Sequence, residues 1–171
     1  MQRFTCLQSE SLANDLESGS KIHRAFLPAS LGFLLLPLAI GGQSLKSVIL
    51  PSSEVKEISQ LCSRNSPIIE GSWNPSVEDV YAMEARLANI EKLPSGKMWR
   101  GRIQHPEQFF RQYVGVIVNG HRAIYINAFP SGTTYWHSHL VSVCDGGASF
   151  WGVLYDVGTR TFSQLEVNGV A

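Results

Sequence analysis

The stretch that decides the fold is Gln112-Tyr113-Val114-Gly115-Val116-Ile117-Val118-Asn119-Gly120-His121-Arg122-Ala123-Ile124-Tyr125-Ile126-Asn127-Ala128-Phe129. Two runs rich in β-branched and aromatic residues flank Asn119-Gly120, whose tolerance of left-handed backbone suits a two-residue hairpin turn. With a side-chain period of two, Val114, Val116, Val118, His121, Ala123 and Tyr125 share one face. Tyr113, Gly115, Ile117, Arg122, Ile124 and Ile126 share the other. Both faces are apolar for most of their length, whereas a half-solvated antiparallel strand alternates cleanly. Each face therefore needs a cover. For the second face, the sequence offers a short upstream helix, the 94–110 loop or another molecule.

Downstream, Trp136 to Cys144 and Ser149 to Val157 flank Asp145-Gly146-Gly147 and read as a second hairpin. Thr161 to Val167 supplies a fifth strand after a turn at Gly158. Upstream, Val55, Ile58, Leu61 and Cys62 recur on one helical face behind Ser52 or Ser53. A longer helix starts at Ser76, where Asp79 stands at capping-box spacing and Glu78 and Asp79 suit the positive end of the helix dipole. Val80, Met83, Leu87 and Ile90 form its apolar stripe, and Pro94 and Gly96 end it. The expected fold class is α+β, with one or two N-terminal helices packed on a four- to five-stranded antiparallel meander sheet. That layout is similar to the cystatin-like inhibitor folds. The match stops at layout, because Gln112-Tyr113-Val114-Gly115-Val116 has Val116 where the family's Q-x-V-x-G loop ends in Gly.

The N-terminal third has another composition. Ala25 to Leu45 holds no charged residue, and Ala25 to Ile40 is almost wholly apolar, with Lys21, His23 and Arg24 before it and Gly41, Gly42, Gln43 and Ser44 behind it. A basic flank, an apolar stretch and small residues at Ala39 and Gly41 make residues 21–41 a signal peptide or an N-terminal anchor. A spanning helix wants about 20 apolar residues. This run has sixteen, interrupted by Pro28 and Pro37, which favours cleavage. In either case the basic flank leaves the rest of the chain on the non-cytoplasmic side, periplasmic or secreted. Residues 1–20 form a polar leader, either a cytoplasmic extension or a translation start assigned too far upstream. Residues 42–171 are then a single α+β domain.

The 171 residues carry 14 Lys plus Arg and 14 Asp plus Glu, with 44% hydrophobic and 16% charged residues. That composition excludes global disorder. Residues 1–41 hold three basic and three acidic residues, so the remaining 130 keep 11 of each. Neutrality throughout argues against nucleic acid as a partner. It also gives no steering toward anionic membranes, which leaves the N-terminal segment, if uncleaved, as the membrane contact. Of three Cys, Cys6 lies in the leader. Cys62 and Cys144 remain as a pair for an oxidising compartment, and a bridge between them is worth about 4 kcal/mol in the chain-entropy model.

Two constellations carry chemistry. His137 and His139 form an H-x-H pair that shares one face of the expected strand. The facing strand brings Asp156 to the same end, which makes a two-His, one-carboxylate set suited to zinc or iron. The opposite face of that hairpin carries Trp136, Leu140, Trp151 and Tyr155, dense enough in aromatics to be core or a recognition surface. Cys144 lies on the face opposite His137 and His139, so a local Cys–His dyad is disfavoured. There is no phosphate-cradling loop, dinucleotide fingerprint or G-x-S-x-G elbow. The expectation is a small exported, non-catalytic binding or inhibitory module, without a cofactor, with a protein or small-molecule partner. The alternative is a metal-dependent enzyme at His137, His139 and Asp156.

Overall fold

Asn119 and Gly120 turn the chain with φ of 50° and 73°, and the two nine-residue strands around them pair antiparallel from Val118 opposite His121 to Phe110 opposite Phe129. The computed structural model describes residues 46–94 and 101–170. The chain divides into units 1–40 and 41–171, so the expected polar leader 1–20 and the signal or anchor at 21–41 lie outside the described residues. Among the described residues, no helix is long and apolar enough to cross a membrane.

Among the described residues, six strands form one mixed sheet: β1 (Ser47–Ile49), β2 (Gly71–Trp73), β3 (Phe110–Val118), β4 (His121–Phe129), β5 (Trp151–Asp156) and β6 (Thr161–Val167). From β3 to β6 the strands pair antiparallel in chain order. The outer edge of β3 is shared. β1 lies parallel along its first half, with Ser47 opposite Arg111. β2 lies antiparallel along its second half, with Trp73 opposite Gly115. The sheet is therefore mixed, not the antiparallel meander expected. β1 and β2 escape a sequence reading because three-residue strands show no alternation to detect. Gly115 is where β2 presses closest. A Cβ there would collide with the Trp73 carbonyl oxygen and stand 2.7 Å from Cδ of Pro75, the close backbone approach that glycine permits inside a strand.

Helical structure is sparse. A 3₁₀ turn at Ser52–Glu54 leads into α1 (Val55–Ile58), and α2 spans Val77–Glu84. The capping box forms: Asp79 N–H donates to Ser76 Oγ at 3.2 Å, and Ser76 N–H donates to the Asp79 carboxylate at 2.9 Å. The single long helix expected from Ser76 to Pro94 does not form. Arg86 leaves helical geometry at φ −116°, and Leu87–Lys92 continues as a 3₁₀ turn. The three-residue spacing of Leu87, Ile90 and Leu93 aligns those side chains on one side of such a turn, so Leu87 and Ile90 remain buried.

Both sheet faces are covered. One apolar cluster joins Tyr113, Ile124, Ile126, Trp151, Val153 and Tyr155 to Val80, Met83, Leu87 and Ile90. The other joins Val114, Val116, Val118, Ala123, Tyr125 and Leu154 to Leu50, Ile58 and Leu140. Ile58 belongs to the short helix α1, which covers the Val114 face, whereas the Tyr113 face is covered by Val80, Met83, Leu87, Ile90 and Ile103 of the 94–110 loop. Leu140 comes from a segment expected to be a strand.

That segment is the main departure in the fold. Between β4 and β5 no hairpin partner exists, and β5 pairs directly with β4. Residues 134–138 form a turn, in which Ser138 and His139 N–H both donate to the Tyr135 carbonyl at 3.0 Å. A turn of this pitch brings Trp136 and Leu140, four apart, to one side. The backbone beyond it is satisfied by side chains instead of a ladder, as a partly buried loop requires. Gln112 Nε2 donates to the carbonyls of Trp136 and His139, each at 2.6 Å, and Gln112 Oε1 accepts Val141 N–H at 2.8 Å. Asn127 Nδ2 donates to Val141 O at 2.9 Å, and Glu54 accepts Leu140 N–H at 3.0 Å.

Candidate functional site

The same face of the sheet carries a polar network whose centre is Arg64. Its Nε donates to Tyr125 Oη at 3.1 Å and its Nη1 to Asn168 Oδ1 at 3.3 Å, while Nη2 donates to Asn127 Oδ1. Asn127 in turn donates to Gln112 Oε1 at 2.8 Å, across the β3–β4 ladder where these two residues are register partners. The guanidinium reaches Tyr125 by passing over Gly152. A Cβ on Gly152 would meet the Tyr125 hydroxyl and lie 2.8 Å from Cζ and 3.1 Å from Arg64 Nε. Burial pushes the Tyr125 phenol up, against the opposing pull of the Arg64 guanidinium. All three acceptors of Arg64 named here are neutral oxygens.

Beside this network, three segments meet. Cys62 and Cys144 are joined in a disulfide with Cα atoms 5.1 Å apart, within the range that a bridge spans. Gly169 N–H donates to Ser63 Oγ at 2.7 Å. Asn168 Nδ2 donates to the carbonyls of Val143 and Asp145, the latter at 3.1 Å, and Gly147 N–H donates to Gly169 O at 3.0 Å. These ties frame a cleft of about 520 Å³, lined by residues 62–65, Gly147, Ala148 and residues 166–170. Its polar lining includes Arg64, Asn65, Glu166 and Asn168, with Ala148, Val167 and Val170 as apolar counterparts.

The structure scatters the sequence-derived sites. Trp136 is buried against Phe110 and Phe129, with ring centroids 5.2 and 6.1 Å away. Leu140 is buried in the cluster on the same side of the sheet. Trp151 and Tyr155 are buried in the cluster on the opposite side. The four form no common aromatic surface, because Trp136–Cys144 is not the strand that would have aligned them. Trp151 Nε1 and Tyr155 Oη have no hydrogen-bond partner among the described residues.

The metal-ligand set does not assemble either. His137 packs at a tilt against Trp136 with centroids 3.9 Å apart, and His139 Nδ1 lies 3.6 Å from Glu54. Asp156 Oδ1 accepts Thr159 N–H at 2.7 Å, and its Oδ2 lies 3.9 Å from His121 Nδ1. The Thr159 backbone bond holds the Asp156 carboxyl below its ordinary range, with His121 a smaller contributor. The loop that carries both histidines is anchored on Gln112, which is opposite Asn127, whereas Asp156 is opposite Ala123. Those positions are four residues, or about 13 Å, apart along β4. Among the described residues, the ligand-type side chains that gather within 4.8 Å are Glu91, His105 and Glu107. His105 and Glu107 are well exposed, and exposed acidic groups commonly cluster so without an ion.

Sequence reasoning found Cys62 and Cys144 but missed Arg64, Asn168, Gln112 and Asn127. For the last two a signal existed. Gln112 and Asn127 continue the otherwise apolar Val114–Val118 and Ala123–Tyr125 face, and a polar pair at matched strand positions on such a face marks a buried network. Arg64 and Asn168 stand in irregular segments, where no periodicity places a side chain.

The described residues form a mixed α/β fold with a disulfide-bordered cleft. Comparison of the chain with family models, curated proteins and solved structures finds no match.

Proposed function

We propose that this protein is a small exported, non-catalytic binding module, and that its binding site is the cleft between residues 62–65, 147–148 and 166–170. The cleft itself carries this reading. Its volume of about 520 Å³ falls in the range of small-molecule sites, and its mixture of apolar wall with a few placed polar groups is the usual composition of such sites. The partner is accordingly a small polar molecule, in place of the macromolecule that an exposed aromatic sheet would have suited. Arg64 and Glu166 offer it one charge of each sign. The export signal read from residues 21–41 and the Cys62–Cys144 bridge support a non-cytoplasmic location, periplasmic or secreted.

Amide shifts of the oxidised chain on titration with amino acids, short dicarboxylates and mono- and disaccharides test the reading. The expected result is a saturable response confined to residues 62–65, 147–148 and 166–170, abolished by Asn65→Trp, which fills the exposed mouth without touching the core. Silence across all three compound classes, or responses elsewhere on the surface, would overturn it.

A further inference from the structure

Residues 62–65 of the cleft wall, and residues 141–146, which lead into the Gly147–Ala148 wall, contain neither helix nor strand. Arg64 and Val141 tie them to the sheet through Tyr125, Asn127 and Gln112, and beyond those ties they are held by side-chain bonds to a third segment and by one covalent link. Asn168 connects all three segments: it accepts from Arg64 and donates to Val143 and Asp145. Ser63 adds its bond from Gly169. The Cys62–Cys144 bond, with a sequence separation of 82, is the covalent tie between the first two segments, alongside their shared hydrogen-bond partner Asn127. Both cysteines are exposed, so an external disulfide or thiol reaches them without unfolding the sheet. Neither belongs to the two apolar clusters that hold the sheet.

We propose that oxidation of Cys62 and Cys144 is the step that assembles the cleft, so that the reduced chain has its folded sheet but no formed binding site. The proposal rests on the reading of the cleft as the binding site and adds its regulation. The oxidant is a disulfide, either of a thiol oxidoreductase or of a small molecule. The thiolate of one cysteine attacks it and forms a mixed disulfide, releasing one thiol. The second cysteine, deprotonated, displaces the remaining sulfur and closes the Cys62–Cys144 bond. Two electrons and two protons leave the protein and appear on the oxidant as two thiols. Binding competence thus follows the redox state of the compartment. It is off in a thiol-rich cytosol and on after export.

The test compares backbone order parameters of the full chain, oxidised and in excess dithiothreitol. In the oxidised chain residues 62–66, 143–147 and 168–170 should be as rigid as the strands, with values near 0.85. In the reduced chain they should fall below about 0.6 while residues 112–118 and 121–128 stay near 0.85. Cys62→Ser with Cys144→Ser should behave as the reduced chain. Ile126→Val, which weakens the core with the bridge intact, should leave the cleft rigid. Unchanged order in the reduced cleft overturns the proposal. So does loss of the folded sheet on reduction, because the bridge would then hold the whole domain and not the cleft. No ligand enters this measurement, so a silent titration of the oxidised chain counts against the binding reading, and unchanged order counts against oxidative assembly.

Discussion

Gln112 shows how one buried amide replaces a strand. Its carbonyl and amino groups together satisfy two carbonyls and one N–H of the 136–141 loop and one N–H of Asn127. Gln112→Ala removes all of these at once and leaves buried groups unpaired at about 1–3 kcal/mol each, partly relieved by water entering the loop. The expected loss is about 3 kcal/mol in urea unfolding, with the Val141 amide losing its exchange protection while the β3–β4 ladder remains intact. A loss under about 0.5 kcal/mol would show that the loop is held by Trp136 and Leu140 alone. At this scale the sequence was partly legible. The parity of the hairpin faces follows from its register, and the Ser76–Asp79 cap follows from spacing. Hydrogen-bond partners that lie tens of residues apart, as Arg64 and Tyr125 do, have no local signature.

Among the elements, the best legible were those whose pattern repeats often enough to exclude rivals. β3 and β4 have nine residues each and an Asn-Gly turn. The 136–144 segment has Trp136, Leu140 and Val143, a spacing that fits a helical turn better than alternation, and its strand reading leaned on the Asp145-Gly146-Gly147 turn signal. Element docking also depends on charge. Glu84 closes α2 and meets Arg111 of β3, whose guanidinium is 2% exposed and lies 3.3 Å from the Glu84 carboxylate. Burial works to lower the Arg111 pKa, but Tyr113 and Glu84 outweigh it, and the net shift is upward. Tyr113 Oη donates to Glu84 and accepts from Arg111 Nε at 2.9 Å, and burial is the main reason its phenol is raised. Breaking a buried ion pair from one side costs about 3–5 kcal/mol. Glu84→Ala is expected at the low end, about 3 kcal/mol, because the carbonyls of Pro106, Glu107 and Phe109 still receive the guanidinium. Adding Arg111→Met to Glu84→Ala should recover part of that loss. A double variant no more stable than Glu84→Ala would mean that the pair's electrostatics are not what couples α2 to the sheet.

For the whole molecule, the two-faced sheet explains why so small a domain needs a cross-link. Its covers are short: α1 has four residues and α2 eight, and part of the Val114 face is sealed by irregular chain at Leu140. Such chain loses more conformational entropy on ordering than it regains in regular hydrogen bonds. A bridge acts on that imbalance by limiting the unfolded state. With a sequence separation of 82 between its ends, Cys62–Cys144 is expected to contribute about 4 kcal/mol to the unfolding free energy. This effect is distinct from order in the native cleft. Chain entropy shifts the equilibrium between folded and unfolded molecules, whereas cleft assembly concerns the folded molecule alone. Urea unfolding with and without dithiothreitol measures the first. The midpoint should fall and the denaturant slope should rise modestly, because the reduced unfolded chain is more expanded and exposes more surface. An unchanged midpoint would show that the reduced native state gains in freedom as much as the unfolded state does. The cleft would then loosen within the folded molecule on reduction, which is what oxidative assembly of the site requires.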